Sequence, residues 1–268
     1  MADEPLEPPL EEEEGGPIKP FLDHLEDLRW VLIKCISALV VGMAVCMAGS
    51  PWLVTILKRP LPPKMKIIIF GPAEGFMLSM KISLFGGVAL GLPLILYVVG
   101  RFVLPALKKK ERKYFLHALS IGAGLFFSGV VLCYFAMLPI SMNALVQFND
   151  WLGITTEAWR AGEYFSFVCW FMIGMGLSFE MPIVLLTLVK LGIIEHKTLV
   201  KSRRYVFVIN LVVCSFITPD AVTTIFMIIP LQILLEASIW ISSHWERQKK
   251  REEAALMTSE QSHQAASD

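Results

Sequence analysis

Six apolar stretches constrain this chain more than any other feature of its sequence. A helix needs about 20 mostly apolar residues to cross the roughly 30 Å hydrocarbon core of a bilayer. The stretches occupy residues 30–49, 76–99, 114–138, 164–191, 205–218 and 222–242. The chain is 55% hydrophobic and 18% charged, whereas soluble domains average about 45–50% and 25%. We therefore predict an all-α integral membrane protein with six transmembrane helices.

The fifth stretch is shorter than the others. It has 14 residues between the Arg203-Arg204 pair and Pro219-Asp220. At 1.5 Å per residue such a helix reaches about 21 Å, less than the thickness of the hydrocarbon core. We predict that helices five and six are short, and that the bilayer is thinner beside them.

The basic residues are unequally divided between the two sides that six spans create. Of the 24 Lys and Arg residues, 18 fall in the termini and the second and fourth loops, five fall in the opposite loops, and Lys81 lies within a span. Cytoplasmic segments carry such an excess, so both termini are predicted to be cytoplasmic. The formal net charge of zero gives no reason to expect a nucleic-acid partner.

The ends of the chain differ from the predicted membrane domain, which covers residues 21–243. Residues 1–20 are acidic and offer little to bury, so we predict a disordered tail. Residues 244–268 are charged and then small and polar, and they predict a cytoplasmic C-terminal tail. Between the first two spans, residues 52–61 predict a short amphipathic helix on the outer surface.

Motifs of catalysis and metal binding are missing from the sequence. It contains no HExxH, GxSxG or Walker loop. Five cysteines are scattered through the apolar stretches without CxxC spacing, which is typical of small apolar filler. We predict no enzymatic activity, no cofactor and no metal site.

Two carboxylates within the apolar stretches are candidates for function. Glu180 lies near the middle of the fourth stretch, where a charge costs at least about 2.5 kcal/mol, and Pro182 should kink that helix. Glu180 either lines a wet, concave surface or is protonated and bonds a neighbouring helix. Glu236 lies deep in the sixth stretch and is open to either role, while Gln232, one turn earlier, predicts an interhelical hydrogen bond.

Asp220 precedes the sixth stretch. With Thr218 as the N-cap and Pro219 as the first helical residue, Asp220 would lie near the positive end of the helix dipole. The pattern therefore favours a helix start at this point.

Acidic residues also lie at the predicted cytoplasmic face. Glu111 stands inside the segment ALKKKERKY, among five basic residues, and is either a solvated counter-charge or has a partner elsewhere. Glu26 and Asp27 precede the first span, where the bare pattern indicates an interfacial helix with solvated charges. Acids at a basic surface suit a cationic ligand, because arginine pairs with carboxylates through two parallel hydrogen bonds.

Four motifs, in their order and spacing, resemble the TatC family, the multispanning core subunit of the twin-arginine protein translocase. They are HLEDLR at 24–29, FVLPALKKKERK at 102–113, SFEMP at 178–182 and TPD at 218–220. The resemblance covers about residues 20–243. It implies a concave, glove-like arrangement in a bacterial inner membrane, binding of twin-arginine signal peptides of folded cargo, and docking of TatA- and TatB-like single-span partners. It also implies transport driven by the proton-motive force, within a larger complex that contains several copies of the chain.

The resemblance assigns a signal-peptide site to the predicted cytoplasmic face. Glu111 matches a family carboxylate that contacts the peptide, and Phe102 and Pro105 match the preceding motif and should shape the loop. The family has Glu where HLEDLR has Asp27, with Glu26 beside it, so either acid is a candidate for the second contact. The same motif ends at Arg29, which is included in the predicted site.

The resemblance also covers the intramembrane polar residues. Glu180 matches the family's acid within the concave face, and Asp220 matches an acid in the outer turn between helices five and six. We group these two with Glu236 and Gln232 as a predicted polar or partner-docking set.

Three functions compete at this stage. The first is a receptor and scaffold for protein translocation. The second is a proton-coupled secondary transporter with Glu180 and Glu236 as midplane carriers. The third is a structural membrane scaffold in which the acids only pack helices. Binding of an arginine-pair peptide would favour the first, and solute uptake by the protein alone would favour the second.

Overall fold

The computed structural model describes residues 21–63, 65–107, 109–154, 157–194, 201, 203–218 and 220–265. Within these ranges, the side chains of residues 21–24, 106, 109–111 and 249–265 are outside the description. The predicted disordered tail at residues 1–20 lies outside the described residues, as do residues 266–268.

The described residues form mainly long helices. In chain order these are α1 (Phe21–Ala48), α2 (Ser50–Leu57), α3 (Glu74–Val103), α4 (Lys109–Leu132), α5 (Leu138–Trp151), α6 (Ala161–Lys190), α7 (Arg203–Ile217) and α8 (Ala221–Ala265). Two short strands, β1 (Lys66–Ile68) and β2 (Ala158–Arg160), lie between helices. A 3₁₀ turn, Leu104–Ala106, follows α3.

The predicted six-span, all-α architecture is confirmed. Five helical segments are long and apolar enough to cross a bilayer: Leu25–Ala48, Glu74–Val103, Arg112–Trp151, Ala161–Lys190 and Ala221–Gln248. The sixth is α7, whose 15 residues reach about 22 Å. Because α7 is the fifth of the six spans in chain order, the fifth span is short, as predicted. The local thinning of the bilayer stays a prediction.

The helix that contains the sixth span continues beyond the predicted end of that span. Instead of ending near residue 242, α8 continues to Ala265. Residues 243–265 contain no Gly or Pro and are rich in Ala, Glu, Gln, Lys and Arg, which have high helix propensity. The predicted boundary between membrane domain and tail, at residues 243 and 244, thus falls inside a continuous helix.

The third span also extends further than predicted. A π-helical segment, Cys133–Met137, joins α4 to α5, and the backbone N–H of Leu138 donates to the carbonyl of Cys133. Pro139, in the first turn of α5, has no N–H to donate, and a wider turn accommodates it while the chain stays helical. The chain stays helical beyond residue 138, the predicted end of this span, as far as Trp151.

Glycines bring the backbones of α1 and α3 into contact. A Cβ atom at Gly42 would lie 2.9 Å from the carbonyl oxygen of Gly87, and one at Gly87 would lie 2.6 Å from the nitrogen of Met43. A Cβ at Gly91 would lie 3.7 Å from the oxygen of Ala38. Because residue numbers fall along α3 as they rise along α1, the two helices are antiparallel.

The end of the bundle where α1 ends and α3 begins is closed by contacts between two connecting segments. β1 and β2 pair in parallel, with Ile67 opposite Trp159. A short helix is present near the predicted position as α2, but it spans Ser50–Leu57 instead of residues 52–61. Its last carbonyls accept hydrogen bonds from two tyrosines, Tyr134 to Ile56 at 2.8 Å and Tyr164 to Leu57 at 2.9 Å.

The core centres on α6, which contributes more buried residues than the other described helices. Phe126 of α4 and Phe171 of α6 are fully buried. Close contacts depend on glycine here too, since a Cβ at Gly176 would lie 2.6 Å from the ring of Phe126. This packing fixes α6 against α4 and thereby sets the position of Glu180.

Candidate carboxylate sites

The register between α1 and α3 brings two predicted motifs to one end of the bundle. Ala38 lies beside Gly91 and Gly42 lies beside Gly87. Four residues toward the start of α1 therefore correspond to four residues toward the end of α3. Extended toward the start of α1, this register places Asp27 level with Phe102. HLEDLR and the segment that connects α3 to α4 therefore lie at the same end of the molecule.

Most of the predicted signal-peptide residues have described side chains. Asp27 and Phe102 are half-buried, and each takes part in an interaction within the protein. Glu26 and Arg29 are exposed on α1. At least one carboxylate of the motif, that of Glu26, is therefore exposed at the surface of the protein.

The turn between α3 and α4 contains Pro105. This residue lies in the 3₁₀ turn, which is anchored by buried Leu104 and by a bond from the Leu107 nitrogen to the Leu104 oxygen at 3.2 Å. The fixed backbone angle of proline suits such a turn. The chain then enters α4 with Glu111 in its first turn, where the helix dipole favours a carboxylate.

The side chain of Glu111 lies outside the described residues. Its predicted role as a ligand of a cation therefore stays a prediction. The backbone alone shows that Glu111 follows Pro105 by six positions and opens a helix at the same end as Asp27.

Glu180 lies where α6 packs against α4. Its Oε2 atom would be 2.6 Å from a Cβ at Gly122, so the absence of a side chain at Gly122 makes room for this carboxylate. Its Oε1 atom is buried and accepts no hydrogen bond from the described part of the chain. The predicted alternative of a bond to a neighbouring helix is thus not made by this oxygen. Pro182 lies within α6, which continues through it to Lys190.

Glu236 differs from Glu180 because its carboxylate is fully engaged. Arg203, the first residue of α7, donates from Nε to Oε1 at 3.1 Å, and its second guanidinium nitrogen bonds Oε2. Gln232 donates from Nε2 to the same Oε1 at 3.1 Å. The ion pair between Arg203 and Glu236 joins α7 to α8. For Gln232 an interhelical hydrogen bond was predicted, but its Nε2 bonds Glu236, one turn later in the same helix.

Asp220 caps α8, and the predicted assignment of Thr218 as the cap was wrong. Oδ2 of Asp220 accepts from the Thr223 nitrogen at 2.6 Å, the geometry of an N-cap residue. Thr218 instead bonds the Cys214 carbonyl and the Thr224 hydroxyl, at 3.0 and 2.8 Å. The cap belongs to Asp220 because α8 begins at Ala221.

One carboxylate with several partners, Glu74, was not predicted. At the first turn of α3 it accepts from the Phe70 nitrogen at 2.8 Å, the Gly162 nitrogen at 3.2 Å and Arg160 Nε at 3.3 Å. It thereby ties the segment before α3 to the segment before α6. The sequence offered one signal, an acid at the start of an apolar stretch, but two of its three partners, Arg160 and Gly162, are more than 80 residues away.

Arg203 was predicted only as a loop base. Its partner Glu236 is 33 residues away, so no local pattern connects them. Among the described residues, no group of three His, Cys, Asp or Glu side chains could hold a metal ion.

Comparison with known proteins gives matches over most of the chain. Residues 23–230 match the family model of the Sec-independent protein translocase protein TatC. The TatC protein of Carboxydothermus hydrogenoformans is 36% identical over 225 residues, which cover 83% of this chain and 92% of the relative. That of Aquifex aeolicus is 35% identical over 234 residues, covering 86% and 98%. The chloroplastic relative of Pisum sativum is 35% identical and is matched over 63% of its length.

Solved structures match as well. A crystal structure of the twin arginine translocase receptor TatC in DDM superimposes with a TM-score of 0.75 at 35% identity, over 82% of this chain and 99% of that one. A second crystal structure of the receptor gives a TM-score of 0.73.

Proposed function

The chain belongs to the TatC family of Sec-independent protein translocase proteins, and on that premise we propose that it is the receptor subunit that binds twin-arginine signal peptides of folded proteins. Family membership places it in protein translocation. The similar crystal structures are of a twin arginine translocase receptor, which supports the same role for this chain.

One observation carries the proposal: the antiparallel register of α1 and α3 puts Asp27 level with Phe102, at the end where α4 begins with Glu111. Two acidic motifs, far apart in sequence, thus share one end of the bundle. Each carboxylate can accept two parallel hydrogen bonds from an arginine, so two acids match two arginines. Bidentate pairing also discriminates against lysine, which presents a point charge.

Each residue of this site takes a defined part in the proposal. Glu111 binds one arginine, and Asp27 or Glu26 binds the other. Phe102 and Pro105 shape the turn that holds Glu111 in place. Arg29, two residues after Asp27, is exposed on α1 and lies at the edge of the acidic surface formed by Glu26 and Asp27.

The membrane setting follows from charge. With 18 basic residues on the side of the termini and five on the other, the positive-inside rule supports cytoplasmic termini in a bacterial inner membrane. The signal-peptide site then faces the cytoplasm, where folded cargo is made. We infer that the chain works as several copies in a larger complex and that the proton-motive force drives transport.

We further propose that TatA- and TatB-like single-span proteins dock beside Glu180. Its buried Oε1 has no partner among the described residues, and an unpaired polar group in hydrocarbon costs free energy. A polar side chain from a partner helix would remove that cost. Glu236 and Asp220 hold internal bonds and in this scheme stabilise the neighbouring helices. Gln232 donates to Glu236, while its buried Oε1 also has no partner among the described residues.

The transporter alternative has less support. Glu236 is engaged by Arg203 and Gln232, so it is poorly suited to exchange protons as a midplane carrier. Family membership favours translocation over solute transport.

The test is binding of a twin-arginine signal peptide, and of its lysine-pair counterpart, to the full-length protein in nanodiscs. We expect arginine-selective binding that falls at least about tenfold in Glu111→Gln, since losing one charged hydrogen bond costs about 1.5–3 kcal/mol. Asp27→Asn and Glu26→Gln, compared side by side, identify the second acid.

Glu163→Gln is the matched control, because Glu163 is exposed at the opposite end, in the first turn of α6. It should bind the peptide like the unmodified protein. Equal affinity for the arginine and lysine peptides, or equal loss in Glu163→Gln and Glu111→Gln, would reject the receptor site.

A further inference from the structure

A groove with no assigned role lies between α4, α6 and α8. It has a volume of about 150 Å³, and its walls are mainly apolar, with Phe115, Ile121, Ile183 and Leu186 among them. It opens at the end of the bundle where α4 begins and α6 ends. No Asp or Glu is among the lining residues whose side chains the structure describes.

The mouth of the groove is basic and aromatic. The Lys190 ammonium lies over the ring of Tyr114, 3.7 Å from its centroid, and over the ring of Trp245, 4.5 Å from its centroid. These cation–π contacts hold the charge in one place, and Trp and Tyr favour the level of lipid headgroups. His117 adds a second basic side chain to the lining.

We propose that this groove binds one anionic phospholipid, with its phosphate at Lys190 and part of an acyl chain between α4 and α6. Basic pockets between transmembrane helices at the cytoplasmic side bind anionic headgroups. An engineered apolar cavity of about 150 Å³ accepts benzene, so this groove accommodates a comparable number of acyl carbons.

A lipid fits the groove better than a peptide does. Beyond the mouth the described part of the lining offers one hydroxyl, that of Thr187, which already donates to the Ile183 carbonyl at 2.7 Å. A peptide would bring backbone N–H and C=O groups into this apolar space and leave them unpaired, at a cost of several kcal/mol. An acyl chain has no polar groups to satisfy. The argument is independent of the receptor proposal, because none of its residues belongs to the proposed signal-peptide site.

The experiment is native mass spectrometry of the full-length protein in detergent with equimolar phosphatidylglycerol and phosphatidylcholine of identical acyl chains. We expect one phosphatidylglycerol to be retained with about fivefold preference, since one basic residue near a headgroup contributes about 1 kcal/mol. Lys190→Gln should abolish the preference. Lys34→Gln, which removes an exposed lysine from α1, should leave it unchanged.

Two further experiments distinguish a bound phospholipid from bound free phosphate. Ala118→Phe narrows the apolar part of the groove and should reduce retention of both lipids, with gel filtration confirming that the variant is folded. Inorganic phosphate at millimolar concentration should not displace the lipid, because it lacks the acyl chain.

Several outcomes would overturn the proposal. These are equal retention of the two lipids by the unmodified protein, an unchanged preference in Lys190→Gln, and displacement of the lipid by phosphate. Crosslinking of a signal peptide's apolar segment to Ala118→Cys, with no lipid retained by the unmodified protein, would assign the groove to the peptide instead.

Discussion

Glu180 and Glu236 are two carboxylates on apolar transmembrane helices, but their surroundings differ. Glu236 accepts from Arg203 and Gln232, and the bonds tie α7 to α8. Glu180 lies against Gly122, and its Oε1 is buried without a partner among the described residues. A carboxylate in a span is therefore not by itself a sign of function. Its hydrogen bonds show whether it stabilises the fold or is available to bind a partner.

Breaking the Glu236 pair should have the largest effect on stability. Arg203→Leu leaves an unpaired carboxylate on an apolar helix, so we expect the largest loss of thermal stability among these variants, measured as the fall in melting temperature in detergent. The double variant Arg203→Leu/Glu236→Leu should recover most of that loss, because no unpaired charge remains.

The neighbouring Arg204 provides the control for this prediction. Its guanidinium lies 5.2 Å from the centroid of the Tyr205 ring, and Arg204→Leu should change the unfolding free energy by about 0.5 kcal/mol or less. If Arg203→Leu and Arg204→Leu unfold alike, the ion pair does not stabilise the α7–α8 contact.

Filling the space beside Glu180 should have the next largest effect. Gly122→Ala places a Cβ 2.6 Å from Oε2 of Glu180, and overpacking of this kind costs about 1–3 kcal/mol. In Gly124→Ala, two positions along the same helix, the new Cβ meets nothing within 4 Å. Gly124→Ala should therefore be neutral or stabilising by up to about 1 kcal/mol. Equal melting temperatures for the two variants would show that Glu180 moves away without cost.

Removing the cap of α8 should have an intermediate effect. Asp220→Ala loses the bond to the Thr223 nitrogen, and loss of an N-cap typically costs about 1 kcal/mol. Asp220→Asn should retain nearly full stability because asparagine caps as well as aspartate does. A loss of stability as large in Asp220→Asn as in Asp220→Ala would mean that the charge, and not the cap, is needed.

Neutralising Glu180 should change stability least. Glu180→Gln keeps the size of the side chain and removes no hydrogen bond to Oε1, so we expect a change within about 0.5 kcal/mol. Glu236→Gln, by contrast, weakens a charge-assisted pair and should cost about 1–2 kcal/mol. If the two variants are equally destabilised, the contrast between the two carboxylates fails. Export of twin-arginine cargo by Glu180→Gln then tests partner docking separately.

Much of the fold could be predicted because hydropathy and charge are local properties. The short helix α7 follows from the spacing of Arg204 and Pro219, and the start of α8 follows from the polar residues that precede it. The continuation of α8 to Ala265 was not predicted, because a change from apolar to charged residues marks the end of a membrane span but not the end of a helix. The parallel pairing of β1 with β2 was missed, since three-residue strands leave almost no pattern.

The candidate site was only partly predictable. The motifs identified Glu26, Asp27 and Glu111 as one group. That Asp27 lies at the same height in the bundle as Phe102 could be inferred only from the glycine contacts between α1 and α3. Glu74 was missed because a single acid at a helix start is common. Its importance comes from Phe70, Arg160 and Gly162, two of which belong to another part of the chain.

By itself the sequence determined the number of spans, the basic end of the bundle and the identity of the acidic motifs. These depend on the composition of consecutive residues and on helical spacing. Only the tertiary structure decided which acids have partners. Arg203 reaches Glu236 across 33 residues, and Arg160 reaches Glu74 across 86. Oε1 of Glu180 has no partner among the described residues, and α4 presents Gly122 to this carboxylate. Hydrogen bonds between distant segments depend on how helices pack, and packing is a property of the whole chain.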